Sequence, residues 1–299
     1  MSTTNAATAT VYVRLFGAFS VHIDGSPVQK WRAGKARSLF QYLLMHSDRV
    51  ILRDKLYEVL WPQGEWSPNS SSLKVAMHAL RQILRIRPDG NGEHGVRIVH
   101  QDFGYVLHAE NMWVDVDQFE RLIDRGRDAD RAGDTTAAMA AYSQAMHLYQ
   151  GDFLAGDSAD WIVEQRQWCK SLALRALDRL TTESLGCGDI ADVARWCRRI
   201  VELDPYREET YQLLMTVHGK FGELGTVRRW HDICTRRLRD ELGVRPSSQT
   251  EWVYVQAMRG ELRQDQASAA MREELAQVMP MPRNRGLTMV TSARERDVS

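Results

Sequence analysis

The spacing of apolar residues changes period along this chain, and the changes divide it. Val11 to Ile23 reads VYVRLFGAFSVHI, apolar and polar alternating around Gly17, and stops at Asp24-Gly25 before a short extended piece to Val28. That pattern predicts a small antiparallel sheet. Lys35 to His46 sets Leu39, Phe40, Leu43 and Leu44 at helical spacing, and Asp54 to Trp61 gives a shorter helix stopped by Pro62. A third helix is predicted within Pro68 to Arg87. Behind a proline and three serines able to cap free backbone amides, Leu73, Met77, Leu80 and Leu84 recur as one buried seam. Beyond the loop Asp89 to Gly95, Val96 to His100 and Tyr105 to His108 alternate again on either side of Asp102-Phe103-Gly104, which predicts a hairpin. From Asp117 onward the period is helical throughout, with short turns at Gly133, Gly188 and Gly222.

The third helix is unusual in its charge. Opposite the leucine seam lie Ser71, Lys74, Val75, His78, Arg81, Gln82 and Arg85, with no acid between Glu65 and Asp89. A surface helix of this length normally mixes both signs; donors and cations alone suit an element lying along a polyanion. The competing reading is a solvated basic face. The rest of the chain bears on the choice. Residues 1–112 hold 13 Lys/Arg against 9 Asp/Glu, and the remainder 26 against 30, although the whole chain is formally neutral. Such a split suggests a nucleic-acid-facing module joined to one that meets something else. At 299 residues, 43% hydrophobic and 26% charged, the chain is globular and long enough for two or three domains.

A sheet, three helices with the third basic, and a terminal hairpin describe a winged helix with an added N-terminal sheet. In that arrangement the third helix enters the major groove and the hairpin wing crosses to the minor groove or backbone. The residues Leu15-Phe16-Gly17, Lys35-x-Arg37, Leu56-x-x-x-Leu60-Trp61-Pro62, Leu73 to Leu84 and Gly104-Tyr105-x-Leu107 together resemble the DNA-binding domain of the Streptomyces antibiotic regulatory protein (SARP) family, which has the response-regulator winged-helix fold. The resemblance implies Lys74, His78 and Arg81 as groove or phosphate contacts, flanked by Ser71, Ser72 and Arg85, with Arg97 and His100 at the wing. Arg81 could read guanine through its fork or grip phosphate; Arg85 could equally serve the helix dipole. The sequence departs from the family's usual helix near Lys74 and Gln82, where a glutamine and a second arginine often stand. The connection from Pro62 to Asn69 meets RNA polymerase in related winged helices. By that resemblance Gln63, Glu65 and Trp66 are a polymerase-contact loop; alternatively Trp66 folds back over its own domain.

The helical part carries a 34-residue echo: Gly188 and Gly222, Val193 and Val227, Arg195 and Arg229, Trp196 and Trp230. This is the period of tetratricopeptide repeats. Leu122, Gly126, Ala138, Tyr142 and Ala145 match that motif's packing positions in a first unit. Leu177, Leu180, Val193, Cys197, Ile200 and Asp204-Pro205 form a second, and Tyr211, Leu214 and Val227 a degenerate third. Between the first two, Gly151-Asp152-Phe153-Leu154 supplies a turn and Trp161 to Leu180 a long helix whose buried side includes Trp168, Leu172 and Leu180. Stacked repeats usually bind protein. This arrangement resembles the bacterial transcriptional activation domain that follows the winged helix in the same family, so the resemblance spans residues 11 to 260. It implies a DNA-binding activator of antibiotic clusters that binds direct repeats of promoter double-stranded DNA as a pair, a homodimer on DNA, and recruits RNA polymerase holoenzyme.

The expected fold class is therefore α+β. It comprises a disordered stretch 1–10, a winged helix at 11–112, a tetratricopeptide-like domain at 113–262, and a partly helical to disordered tail at 263–299. Cys169, Cys187, Cys197 and Cys234 fit no paired zinc spacing and read as buried thiols. Gln29 stands where a phosphate-binding loop ending in Gly34-Lys35 needs its first glycine, and no protease, hydrolase or dinucleotide motif occurs. No catalysis, cofactor or metal is expected. With neither a signal-peptide pattern nor a membrane-spanning run, the protein is expected in the cytoplasm, associated with the nucleoid, and away from membranes. Two other classes stay open: a protein-interaction scaffold, and a regulator whose helical repeats sense a ligand.

Overall fold

A computed structural model describes residues 11–29, 31, 34–64, 71–86 and 95–263 of the chain. Glu65, Trp66, the loop at 87–94 and the end segments 1–10 and 264–299 lie outside these residues. The contacts gather the chain into two compact units, one ending at Leu180 and one beginning at Thr181.

The first unit opens with β1 (Val11–Arg14), β2 (Ser20–Ile23) and β3 (Ser26–Pro27). Val11, Val13, Val21 and Ile23 turn inward, as their alternation requires. Next come α1 (Gly34–Met45), β4 (Ile51–Leu52), α2 (Arg53–Leu60), α3 (Ser72–Ile83), β5 (Val96–Gln101) and β6 (Gly104–Ala109). These positions agree with the predicted helices and hairpin to within a residue or two. Leu39, Phe40, Leu43, Leu56, Leu60, Leu73, Met77, Leu80 and Leu84 are all buried, forming the core on which α3 is seated.

Two short strands escaped the alternation pattern because two or three residues cannot show a period. β4 pairs with β6, giving the sheet order β4-β6-β5. β7 (Met112–Val114) runs parallel to β1, with Val11 opposite Met112, and completes the order β3-β2-β1-β7. The boundary expected at 112–113 thus falls inside a strand that belongs to the N-terminal sheet. The Gly104 position is fixed by this pairing, since a Cβ there would collide with the Ile51 carbonyl.

From β7 the chain passes directly into α4 (Asp115–Arg131), then α5 (Thr135–Leu148) and α6 (Asp160–Cys187). Asp115 is 4% exposed and its carboxylate accepts the backbone N–H groups of Leu15 (2.8 and 3.0 Å), Phe16 (3.0 Å) and Val116 (2.9 Å). Burial pushes its carboxyl above the usual range, against the lowering pull of these amides. The Leu15–Gly17 segment is bonded on its other side to the turn after α5: Gly17 N–H donates to Asp152 (2.9 Å) and Leu154 N–H donates to Leu15 (2.7 Å). Phe16 packs between Phe119 (5.3 Å) and Tyr149 (4.8 Å). Arg166 of α6 closes the turn by donating to the carbonyls of Phe153, Leu154 and Asp157 at 2.8–2.9 Å. Arg37 of α1 reaches Asp157 at 3.1 Å.

α4 and α5 approach closely at Gly126, where a Cβ would lie 2.5 Å from the Tyr142 ring. Ala138, Tyr142 and Ala145 are buried as expected, but Leu122 is only partly covered, because Phe119 and Ile123 take the inward face. Trp168 corrects the sequence reading more clearly. It is 49% exposed on α6, with the Arg175 guanidinium 5.8 Å from its ring, while Leu172 and Leu180 are buried as expected. Among the thiols Cys187 is exposed, not buried, because it ends α6 beside the Gly188 turn; Cys169, Cys197 and Cys234 are interior. Burial pushes the Cys169 and Cys234 thiols up to about 12.

The second unit contains α7 (Ile190–Leu203), α8 (Glu208–Lys220), α9 (Leu224–Leu242) and α10 (Ser248–Met258). Its core joins Val193, Cys197, Tyr211, Leu214, Val227, Trp230, Cys234 and Val253, so the 34-residue echo is one of packing. Gly188 and Gly222, at φ 75° and 70°, make the left-handed turns that begin each repeat.

Asp115→Ala strands buried amides and should cost about 2–4 kcal/mol in urea unfolding, with Asp115→Asn, which keeps one acceptor oxygen, costing less. Gly126→Ala forces the Tyr142 ring out of the α4–α5 seam and should cost roughly 1–3 kcal/mol by the same measurement.

Candidate nucleic-acid interface

The leucine seam of α3 faces inward, so the opposite side is set by elimination. Lys74, Val75, His78 and Gln82 are exposed along it, and no acid occurs between Ser71 and Ile86. Val75 is 59% exposed, an apolar patch among donors that the charge-based reading passed over. Ser71 is the N-cap residue but makes no side-chain cap bond, contrary to the capping expected of it; its backbone is helical rather than extended. Ser71 is exposed and Ser72 partly so.

Arg81 and Arg85 occupy different environments from those of Lys74 and His78. Arg81 is half-buried: Nη2 donates to the Ile98 carbonyl of β5 at 3.0 Å and Nε lies buried. The Nε–Nη2 edge of its fork is thus turned to the protein, where it ties the wing to α3. Arg85 stands beyond the helix in the left-handed region (φ 54°). Ile86 N–H donates to the Arg81 carbonyl (2.8 Å) and Arg85 N–H to that of Gln82 (3.3 Å), so Arg85 fills the helix-ending place usually held by glycine. It remains exposed.

At the wing, Arg97 is paired with Glu110 across β5 and β6 at 2.8 Å, which offsets its charge locally. His100 is exposed and packs edge-on to Tyr105 at 5.1 Å. Gln63, just after α2, is exposed. The structure thus brings Lys74, Val75, His78 and Gln82 onto one face, with Arg85 just past its end. It assigns Arg81 and Arg97 at least partly to holding the wing. Among the described residues no group of three metal-ligating side chains is assembled, and no helix is long and apolar enough to cross a membrane.

Both parts of the chain match families of transcriptional regulators. Residues 31–107 match the family described as Transcriptional regulatory protein, C terminal, and residues 114–256 match the Bacterial transcriptional activator domain. The chain belongs to the Streptomyces antibiotic regulatory protein family. It is 28% identical to Transcriptional regulator RedD of Streptomyces coelicolor over 225 residues, 73% of this chain and 62% of RedD. It is 27% identical to Regulatory protein AfsR of the same organism over 74% of this chain but only 22% of AfsR. With Regulatory protein DnrI of Streptomyces peucetius it shares 23% over 80% of this chain and 89% of that protein. The chain therefore spans less than two thirds of the first two. Mycobacterium tuberculosis EmbR, solved in complex with a low affinity phosphopeptide, shares the fold at a TM-score of 0.61 and 20% identity, over 90% of this chain and 69% of EmbR. These relatives are regulators rather than enzymes.

Arg85→Gly should relieve the left-handed backbone and raise stability by about 1 kcal/mol in thermal or urea unfolding.

Proposed function

We propose that the chain is a sequence-specific transcriptional activator that reads promoter DNA with α3 and presents its helical module to the transcription machinery. The observation that carries this reading is the acid-free outer face of α3, bearing Lys74 and His78 and seated on a fully buried leucine seam. Lys74 neutralises phosphate as a point charge. Val75 suits contact with a thymine methyl, and Gln82 the donor–acceptor pair on adenine's major-groove edge. Arg85 and the first-turn residues Ser71 and Ser72 touch backbone phosphates at either end, and His100 does so from the wing. The chain acts as a pair on direct repeats, within the cytoplasm on the nucleoid. The connection containing Gln63, Glu65 and Trp66 contacts RNA polymerase, and the regulated genes are those of antibiotic synthesis, as the family's name suggests.

Retardation of duplexes selected in vitro by the full chain tests the reading. Lys74→Ala should weaken binding across all such duplexes and lower the slope of log K against log salt by about one unit. Equal affinity and slope for the variant would overturn it.

A further inference from the structure

The tip of the wing carries the most exposed large apolar side chain among the described residues, Phe103, at 81%. It lies in a two-residue turn between Gln101 and Gly104, which are register partners, with Asp102 at φ 53°. This turn is firmly held. The Phe103 carbonyl accepts the Arg53 N–H at 3.0 Å, and Gly104 is pressed against the Ile51 backbone where only glycine fits. β5 in turn is tied to α3 through Arg81 and Ile98. The turn that carries the ring is therefore held relative to α3, and among the described residues nothing covers the ring.

We propose that Phe103 is a wedge that enters the minor groove next to the site occupied by α3 and inserts between two base pairs. The inference rests on the DNA-binding reading and adds a contact that bends the duplex. A minor groove about 6 Å wide admits a narrow turn, and an apolar side chain there unstacks a base step and kinks the helix. The residues flanking the ring agree. Gln101 is exposed beside it and offers a donor to the acceptors on the groove floor. Asp102, also exposed, is repelled by phosphate, so the tip cannot hold on by charge and must hold by apolar contact. Pyrimidine–purine steps open most easily, so the wedge selects such a step at a position α3 never touches.

The test uses the full chain on duplexes it has selected in vitro, with dyes at both ends to report bending and 2-aminopurine at the step facing the wing to report unstacking. Wild type should bend the duplex by roughly 20–90° and brighten the probe. Phe103→Ala should lose most of both signals and bind about tenfold more weakly with an unchanged salt slope, and Phe103→Leu should keep them. Asp102→Asn should bind more tightly. Since Phe103 is exposed, its variants should unfold at the wild-type temperature. Bending and brightening that survive in Phe103→Ala, or a wild type that binds without either, would overturn the wedge while leaving the DNA-binding reading intact. So would a Phe103→Ala defect seen only when polymerase is added. Failure of the wild type to bind any duplex at low salt would overturn both.

Discussion

One buried carboxylate joins the N-terminal sheet to α4 within the first unit. Asp115 opens α4, yet its oxygens hold the amides of Leu15 and Phe16, a hundred residues earlier in the chain. An acid so deeply placed is tolerable only because donors surround it, and those donors are backbone groups that would otherwise be orphaned where β1 ends. Phe16 then fills the space between Phe119 and Tyr149, and the turn after α5 bonds back to Gly17. The N-terminal sheet is thus a shared element rather than an appendage of the winged helix. Arg37 ties α1 to the turn after α5 at Asp157, and α3 packs against α1.

The same economy governs the wing. Arg81, which the family resemblance implies as a DNA contact, uses part of its guanidinium on the Ile98 carbonyl. Arg97 pairs with Glu110. What faces outward is a smaller and more mixed set than the charge pattern suggested: Lys74, Val75, His78 and Gln82 on α3, Arg85 beyond its end, and His100 on the wing. Arg85 keeps a conformation that glycine would hold more cheaply. Strain of this kind fits the phosphate contact proposed for Arg85.

The elements with a sustained period were legible in the sequence: the leucine seam of α3, the hairpin, and the helix pairs closed by Gly188 and Gly222. The motif Leu15-Phe16-Gly17 and the turn Gly151 to Leu154 were both visible too, but their meeting was not. Pairing between segments far apart leaves no periodic trace, and β4 and β7 are too short to leave one either. Trp168 shows the converse failure. Its spacing places it with Leu172, but the long α6 exposes part of that stripe. The exposed face of α3 was legible from its period, whereas the division between side chains that meet solvent and those that brace the wing depended on hydrogen bonds no sequence pattern displays.

The claim on which the functional account turns is that the outer face of α3 lies in a major groove. Methylation protection of guanine N7 on a promoter duplex bound by the full chain reports that groove directly. The account predicts protected guanines in two clusters, about one helical turn apart or a multiple of it, lying on one face of the duplex. Binding that leaves every guanine N7 as reactive as in free DNA would contradict it.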